Sequence, residues 1–384
     1  MATFGNITDM LFETTTMNGS YNSTPYIDQP MSHWKLYAIF VPLVWGILTL
    51  VGTFGNALVI YTLLRHGEKS ATNYFVINLA ISDFAFVVIV VPFTATLFAL
   101  PAWVFGNEMC KITMYMIYVT LHATCLTLMA MTIDRYCAVV YAVQSRNWRT
   151  TGVSIIVCLI VWLVSFLISL PFAIFFRTKP VDDVGHEYCE EVWPEPQEVY
   201  LKVSIIVVVF TTYVVPLAVI IYCYAMILRT LSRNKMSTGN GKTNGILSKK
   251  AQQQEKRRKR VTKLVASIVI VFALFWLPIH IINLWLKLDL DSFPRTDAVY
   301  FLKVFFHTLS YANSCVNPFV YAFLSDGFRK AFRKTFPSLA QRYKICGGPN
   351  EEYVSQVGMT ERAELQKATM TTTLEERHLM QTDL

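Results

Sequence analysis

The chain of 384 residues is 54% hydrophobic, 14% aromatic and only 16% charged, more apolar side chain than a soluble fold needs to fill its core. Its formal net charge of +8 at pH 7 is unevenly distributed along the chain, so it reads as a membrane-topology signal and gives no reason to expect a nucleic-acid partner. Lipid is the expected solvent.

The segment through Ser32 is polar and lacks a basic region leading into a short apolar run, so no cleaved signal peptide is expected and the first span serves as anchor. Asn6, Asn18 and Asn22 each open an Asn-x-Ser/Thr tripeptide, the acceptor for glycosylation, which places this tail outside.

Seven apolar stretches follow: Leu36–Leu64, Tyr74–Leu100, Ile112–Ile133, Val153–Phe176, Val203–Leu228, Leu264–Leu286 and Val304–Leu324. Each reaches the roughly 20 residues a spanning helix requires. Asp83 alone interrupts one with a charge. A carboxylate in lipid is costly, so Asp83 should face the bundle interior, where Asn56, Thr124, Asn313 and Asn317 recur at compatible depths.

The third stretch runs from Cys110 to Asp134-Arg135-Tyr136. As a helix it is about 38 Å long, enough to carry a cysteine at one face and an acid-base pair at the other. With the N-terminus outside, Arg65, Lys69, Arg146, Arg149, the run Lys249 to Lys263 and the run Arg329 to Lys344 all fall on the inner side, as the positive-inside bias requires. The outer loop between spans four and five holds Asp182, Asp183, Glu187, Glu190, Glu191, Glu195 and Glu198 without one Lys or Arg among them. Cys125, Cys137, Cys158, Cys223 and Cys315 fall in or beside apolar spans, leaving Cys110 and Cys189 on the oxidising face. A disulfide between them would pin the acidic loop to the outer end of span three.

Pro216, Pro278 and Pro318 each remove a backbone donor inside a span and predict kinks about which helices pivot. Trp276 sits two residues before one of them, with the polar His280 and Asn283 on the following turns. Ser232 to Ser248 reads as disordered, and Gln252 to Lys263 as a basic helical extension suited to anionic lipid and an acidic partner surface. Beyond Tyr321, Phe328, Phe332 and Phe336 recur every fourth residue among basic side chains, predicting an interfacial amphipathic helix with Asp326 as N-cap. In the polar tail, Cys346 is a palmitoylation candidate. Thr369, Thr371, Thr372 and Thr373 are phosphate acceptors, and Thr382-Asp383-Leu384 fits a PDZ groove. The expected organisation is an outer tail over 1–35, a bundle over 36–324, an interfacial helix over 325–337 and a disordered tail over 338–384.

Asn56, Asp83, Cys110, Asp134-Arg135-Tyr136, Trp162, Pro216, Phe275-Trp276-Leu277-Pro278 and Asn317-Pro318-Phe-Val-Tyr321 stand one group to each span. In that order they resemble rhodopsin-like G-protein-coupled receptors, from about Leu36 to Phe336. The resemblance implies an all-α bundle of seven transmembrane helices with an amphipathic eighth, in the plasma membrane, with its C-terminus in the cytoplasm. It implies a heterotrimeric G protein as partner and arrestin once the tail is phosphorylated. Asp134, Arg135, Tyr136, Tyr224, Trp276, Pro278, Asn317, Pro318 and Tyr321 would form the activation switch, and Asp83, Thr124, Asn313 and Asn317 a sodium site. No other metal and no organic cofactor is expected. One departure stands out: where many relatives place an acid near the start of helix six to clamp the arginine, this chain has Glu255 followed by Lys256-Arg257-Arg258-Lys259-Arg260.

The outer half narrows the resemblance. Pro92-Phe93-Thr94-Ala95, Leu100-Pro101-x-Trp103-Val104-x-Gly106 and Met109-Cys110-Lys111 are similar to kisspeptin receptors. Tyr311-x-Asn313-Ser314-Cys315-Val316-Asn317-Pro318 looks equally like galanin and allatostatin-A receptors. Amine receptors carry an aspartate where this chain has Ile117, and opsins a helix-seven lysine that His307 to Phe323 lacks. The expected cup is lined by Trp103, Tyr115, Tyr118, His122, His280, Asn283, Trp285 and His307, with Glu190 and Glu191 above to attract an arginine. An amidated peptide ending in Arg-Phe-amide is the implied ligand, with Gq-type coupling for kisspeptin-like and Gi for galanin-like receptors. A transporter or channel is the alternative of another class, disfavoured because the halves show no repeat and Asp83 is the one clear mid-span charge. An enzyme is not expected, since no nucleophile-base pair, metal-ligand spacing or phosphate loop appears.

Overall fold

The computed structural model describes residues 34–100, 102–180, 186–237, 245–294 and 296–337. The three glycosylation acceptors, Asp182, Asp183, Cys346, the tail threonines and the terminal tripeptide lie outside the described residues. Met1–Ala331 forms one compact unit and Phe332–Leu384 a second, of which the described part continues a helix to Thr335.

Among the described residues the regular structure is helical apart from one hairpin. Helix α1 spans Trp34–His66 and α3 spans Gly106–Val140. Between them, α2 is built from Ala71–Ala85, a π-helical turn Phe86–Val90, and Val91–Ala99. Helix α4 covers Thr151–Phe175, and α5 is built from Gln197–Val209, a second π turn Phe210–Val214, and Val215–Ser237. Helix α6 is Gly245–Leu288, α7 is Asp297–Leu324 and α8 is Asp326–Thr335. Strands β1 (Phe176–Pro180) and β2 (Glu187–Glu191) pair antiparallel between α4 and α5.

Six described helices are long and apolar enough to cross a membrane. The remaining bundle helix, α7, is diluted by Asn313, Asn317, His307 and Lys303, all buried. Its polar residues face protein, so hydropathy undercounts it. All seven helices begin before the apolar stretches that announced them, and α1, α3, α5 and α6 also run beyond their ends, because helix continues into polar sequence. The loop expected over Ser232 to Ser248 shrinks in the same way, because α5 runs to Ser237 and α6 begins at Gly245.

Both π turns lie immediately ahead of a proline, Pro92 and Pro216. A proline ring collides with the carbonyl four residues earlier, Val88 or Thr212, and widening that turn relieves the clash. Pro278 and Pro318 lie within α6 and α7. Close packing of α1 depends on Gly52, where a Cβ would come within 2.9 Å of Val87 and 3.1 Å of Cys315. That approach lets Asn56 Nδ2 donate to the Gly52 and Ser314 carbonyls at 2.9 Å each, stitching α1 to α7. The exposed side chains of α1 and α4 are almost all aliphatic or aromatic, the expected lipid-facing surface.

At the start of α8 the N-cap expectation is corrected by one residue. Ser325 Oγ accepts the Phe328 amide at 3.2 Å, and Asp326 is the first helical residue. The shift frees the Asp326 carboxylate for ion pairs.

Candidate functional site

The residues expected to line the cup, a buried polar network and an inner cleft lie in order along the bundle. Cys110 and Cys189 are joined, with Cα atoms 5.5 Å apart. The bond fastens β2 to the outer end of α3, and Trp103 N donates to the Glu187 carbonyl at 2.8 Å beside it. Trp103 is itself buried, its ring nitrogen spent on the Gly106 carbonyl at 2.8 Å, so it supports the rim instead of presenting a donor to the cup.

The interior face of α6 carries the open chemistry. Trp276, His280 and Asn283 recur at helical spacing, and Trp276 Nε1, His280 Nε2 and Asn283 Oδ1 are buried without a hydrogen-bond partner among the described residues. Unmet buried donors and acceptors are costly, roughly 1–3 kcal/mol each, and are expected where a ligand or water completes them. Tyr213, in the π turn of α5, has its ring 5.3 Å from His280 and donates to the Ala273 carbonyl at 3.0 Å. Tyr118 stacks on Phe172 at 3.5 Å between ring centres, and His307 meets Tyr311 edge-on at 6.1 Å.

Besides Trp103, four further expected cup residues are placed differently. Tyr115 points to α4, its hydroxyl donating to the Phe166 carbonyl at 2.9 Å, and lies outside the cup. Trp285 is exposed and hydrogen-bonded to Ser292 at 2.8 Å. His122 is buried but saturated, with Nδ1 2.8 Å from the Tyr118 carbonyl and 3.2 Å from Ser169 Oγ, and Nε2 3.0 Å from Thr211 Oγ1. It ties α3 to α4 and α5. Glu191 is the fourth. Expected above the cup to attract an arginine, it has its carboxylate fully buried against Lys287 of α6. Oε1 also accepts from Trp193 Nε1 at 2.6 Å and Ser204 Oγ at 3.3 Å. Glu190 faces Lys179 across the hairpin at 4.0 Å. Removing one partner of a pair as buried as Glu191 and Lys287 costs about 3–5 kcal/mol.

Below the cup, Asp83 accepts from Asn317 Nδ2 at 2.7 Å, joining α2 to α7. Oxygens of Asn56, Asn313 and Asn317 and the Tyr321 hydroxyl are buried without a hydrogen-bond partner among the described residues. A carboxyl group among unmet amide oxygens is a donor set suited to a small hard cation. Thr124, expected in the same set, is instead hydrogen-bonded to Ser82 Oγ at 3.1 Å. Alongside, Trp162 Nε1 donates to Asn78 Oδ1 at 2.9 Å, and Asn78 donates on to Thr127 at 2.7 Å.

At the inner end a cavity of about 820 Å³ is walled by Arg135, Arg149, Arg146, Lys69 and Arg260 with the apolar Leu63 and Leu264. Asp134 holds two of these cations, pairing with Arg135 and accepting from Arg149 Nε at 2.8 Å. Arg260 reaches away from Arg135 to Asp326 at 2.6 Å. Tyr224 donates to the Thr262 carbonyl at 3.3 Å between α5 and α6, and Tyr136 lies 3.5 Å from the Tyr141 hydroxyl.

Lys287, Tyr213, Trp193 and Arg260 were missed as site residues. Lys287 alone had a usable signal, since it continues the Trp276, His280, Asn283 stripe by one more turn.

Seven membrane helices, an outer strand pair disulfide-bonded to α3 and an inner cleft around an Asp-Arg-Tyr sequence define a seven-helix receptor. The model of the family described as 7 transmembrane receptor (rhodopsin family) matches residues 55–321, and the chain belongs to that family. It is similar to the G-protein coupled receptor 54 of Oreochromis niloticus, 38% identical over 305 residues that cover 79% of each chain. It also resembles the galanin receptor type 2 of Rattus norvegicus, 36% identical over 78% of this chain and 77% of the relative. The galanin receptor type 1 of Rattus norvegicus is 33% identical over 83% and 88%. The family is one of receptors, not enzymes.

Proposed function

We propose that this chain is a plasma-membrane receptor, N-terminus outside and C-terminus in the cytoplasm, that binds an amidated peptide and activates a heterotrimeric G protein. The carrying observation is the buried stripe Trp276, His280, Asn283, whose polar atoms have no partner among the described residues while the cup walls are aromatic. A terminal amide offers both a donor and an acceptor to such a stripe, and an adjacent aromatic side chain fits Tyr118 and Tyr213. Ile117, buried on α3, leaves no carboxylate there for a small amine.

The mechanism is a population shift. The peptide binds the conformer in which Trp276 and α6 have moved more tightly than the resting one, and the cleft around Arg135 widens for the G-protein tail. Sodium held by Asp83, Asn313 and Asn317 favours the resting conformer. Arrestin after phosphorylation of the tail threonines, anionic lipid at the basic inner segments and a PDZ domain at the C-terminus complete the proposed partners. An Arg-Phe-amide end with Gq-type coupling is the specific reading, supported by the similarity to the G-protein coupled receptor 54 of Oreochromis niloticus.

The test is a panel of Arg-Phe-amide, galanin-like and allatostatin-A-like peptides, read by calcium and cyclic-nucleotide responses in cells expressing the chain. A calcium response strongest for Arg-Phe-amide and lost in the free-acid form supports the reading. Ligand-dependent ion flux in vesicles without G protein would replace it with a channel or transporter.

A further inference from the structure

The Glu191 and Lys287 pair joins three elements at the top of the cup. Glu191 is the last residue of β2, Lys287 lies in the last turn of α6 and Ser204 on α5, and both charged side chains are sealed from solvent. The pair stands at the outer end of the bundle, where Lys287 lies one turn beyond Asn283 on α6.

That placement fixes a spacing. From Asn283 to Lys287 the helix rises about 6 Å. One residue of extended peptide covers about 3.5 Å and a long side chain the remainder. A ligand whose terminal amide engages His280 and Asn283 therefore brings its penultimate side chain to the level of the Glu191 carboxylate.

We infer that Glu191 is a shared acceptor, held by Lys287 at rest and taken over by a guanidinium of the ligand, so that the pair sets selectivity for a cationic penultimate side chain. This inference rests on the amidated-peptide reading above. The exchange is chemically favoured in one direction. A guanidinium grips a carboxylate with two parallel hydrogen bonds and is more weakly hydrated, whereas the lysine ammonium is a strongly hydrated point charge. Lys287 has a four-carbon stem near the end of its helix, so its head can swing toward water when displaced. Trp193 keeps its 2.6 Å bond to Oε1 and holds the carboxylate in place during the swap, while the longer Ser204 bond at 3.3 Å gives way to the second guanidinium hydrogen bond. The swap also unties β2 from α6, which couples occupancy of the upper cup to the helix that must move.

The experiment compares an Arg-Phe-amide hexapeptide with the same peptide carrying citrulline, the neutral isostere of arginine, on wild type, Glu191→Gln and Lys287→Met. Potencies are normalised to surface expression. Wild type is expected to prefer arginine. Glu191→Gln should cut that preference by about tenfold or more, as loss of a buried charge partner does. Lys287→Met removes the internal competitor and should widen the preference by about tenfold. Where Glu191→Gln fails to reach the surface, Lys287→Met carries the test alone. A preference unchanged in these variants, with both peptides weakened equally, overturns the exchange and leaves the amidated-peptide reading standing. Failure of both peptides to activate wild type overturns the exchange and the reading it rests on.

Discussion

Arg260 of α6 donates to the Asp326 carboxylate of α8 at 2.6 Å, and Arg329 pairs with the same carboxylate from within α8. Many receptors of this kind clamp the switch arginine with an acid near the start of helix six, where this chain carries the basic run Lys256 to Arg260. Here the polarity is reversed: α6 supplies the cation, and the base of α7 and α8 the anion. The tether restrains α6 from the other side of the cleft.

Arg260→Ala and Asp326→Asn should each raise ligand-free signalling. The pair is well exposed and screened, worth up to about 1 kcal/mol, so the rise should be about two- to fivefold. Basal nucleotide exchange in membranes checks it. An unchanged basal rate would leave the pair as a surface contact alone.

Partial burial pushes the Asp326 carboxyl up, but its hydrogen bond and charge contact with Arg260 and the contacts with Arg329 outweigh this, leaving it below its ordinary value of 3.8. A lowered folded value means the tether contributes fully above the unfolded value and is lost only as pH falls through the lowered one. Between pH 6 and 8, then, the ratio of basal activity between Asp326→Asn and wild type should stay constant. A ratio that drifts through that window would contradict the assignment.

Asp134 restrains Arg149 as well as its neighbour Arg135. Asp134→Ala should raise basal signalling more than Arg149→Ala, since it releases both cations from one acceptor. Equal or absent effects in a basal exchange assay would argue that the resting state is held elsewhere.

The Asp83 and Asn317 contact predicts a sodium effect. Replacing choline with sodium should lower peptide affinity several-fold in wild type and leave Asp83→Asn unaffected, because a cation favouring the resting state must oppose the agonist reciprocally. Competition binding in the two salts reads this directly. Equal sodium sensitivity in both proteins would place the cation elsewhere.

His280→Ala and Asn283→Ala should cut peptide potency by about tenfold or more, the usual effect of leaving a ligand amide unpaired. Tyr115→Phe, which gives up only the bond to the Phe166 carbonyl on the α4 side, should stay within about threefold. A loss at Tyr115 matching that at His280 would return it to the cup.

Much of the fold was legible because lipid imposes one rule, an apolar run of sufficient length, on every spanning helix. Helix ends were not, since α3 and α6 continue into polar sequence where that rule lapses. The Cys110 to Cys189 bond could be read because the other membrane-region cysteines fall among apolar residues. The Glu191 ion pair was not legible for a physical reason: its partner Lys287 lies 96 residues along the chain, and an acidic stretch says nothing of a cation folded onto it from another helix. Tyr115 and Tyr118 show the limit of composition. They stand three residues apart, about 60° around the same helix, which is enough to send one to α4 and the other to the cup.

The most direct measurement is the distance between spin labels at Val143 and Lys263, both exposed on the inner side, in purified receptor in lipid nanodiscs. Saturating Arg-Phe-amide peptide with nucleotide-free G protein should lengthen it, and Asn283→Ala should blunt the change at the same peptide concentration. A distance that stays the same while the peptide is demonstrably bound would contradict the link between the outer cup and the inner cleft.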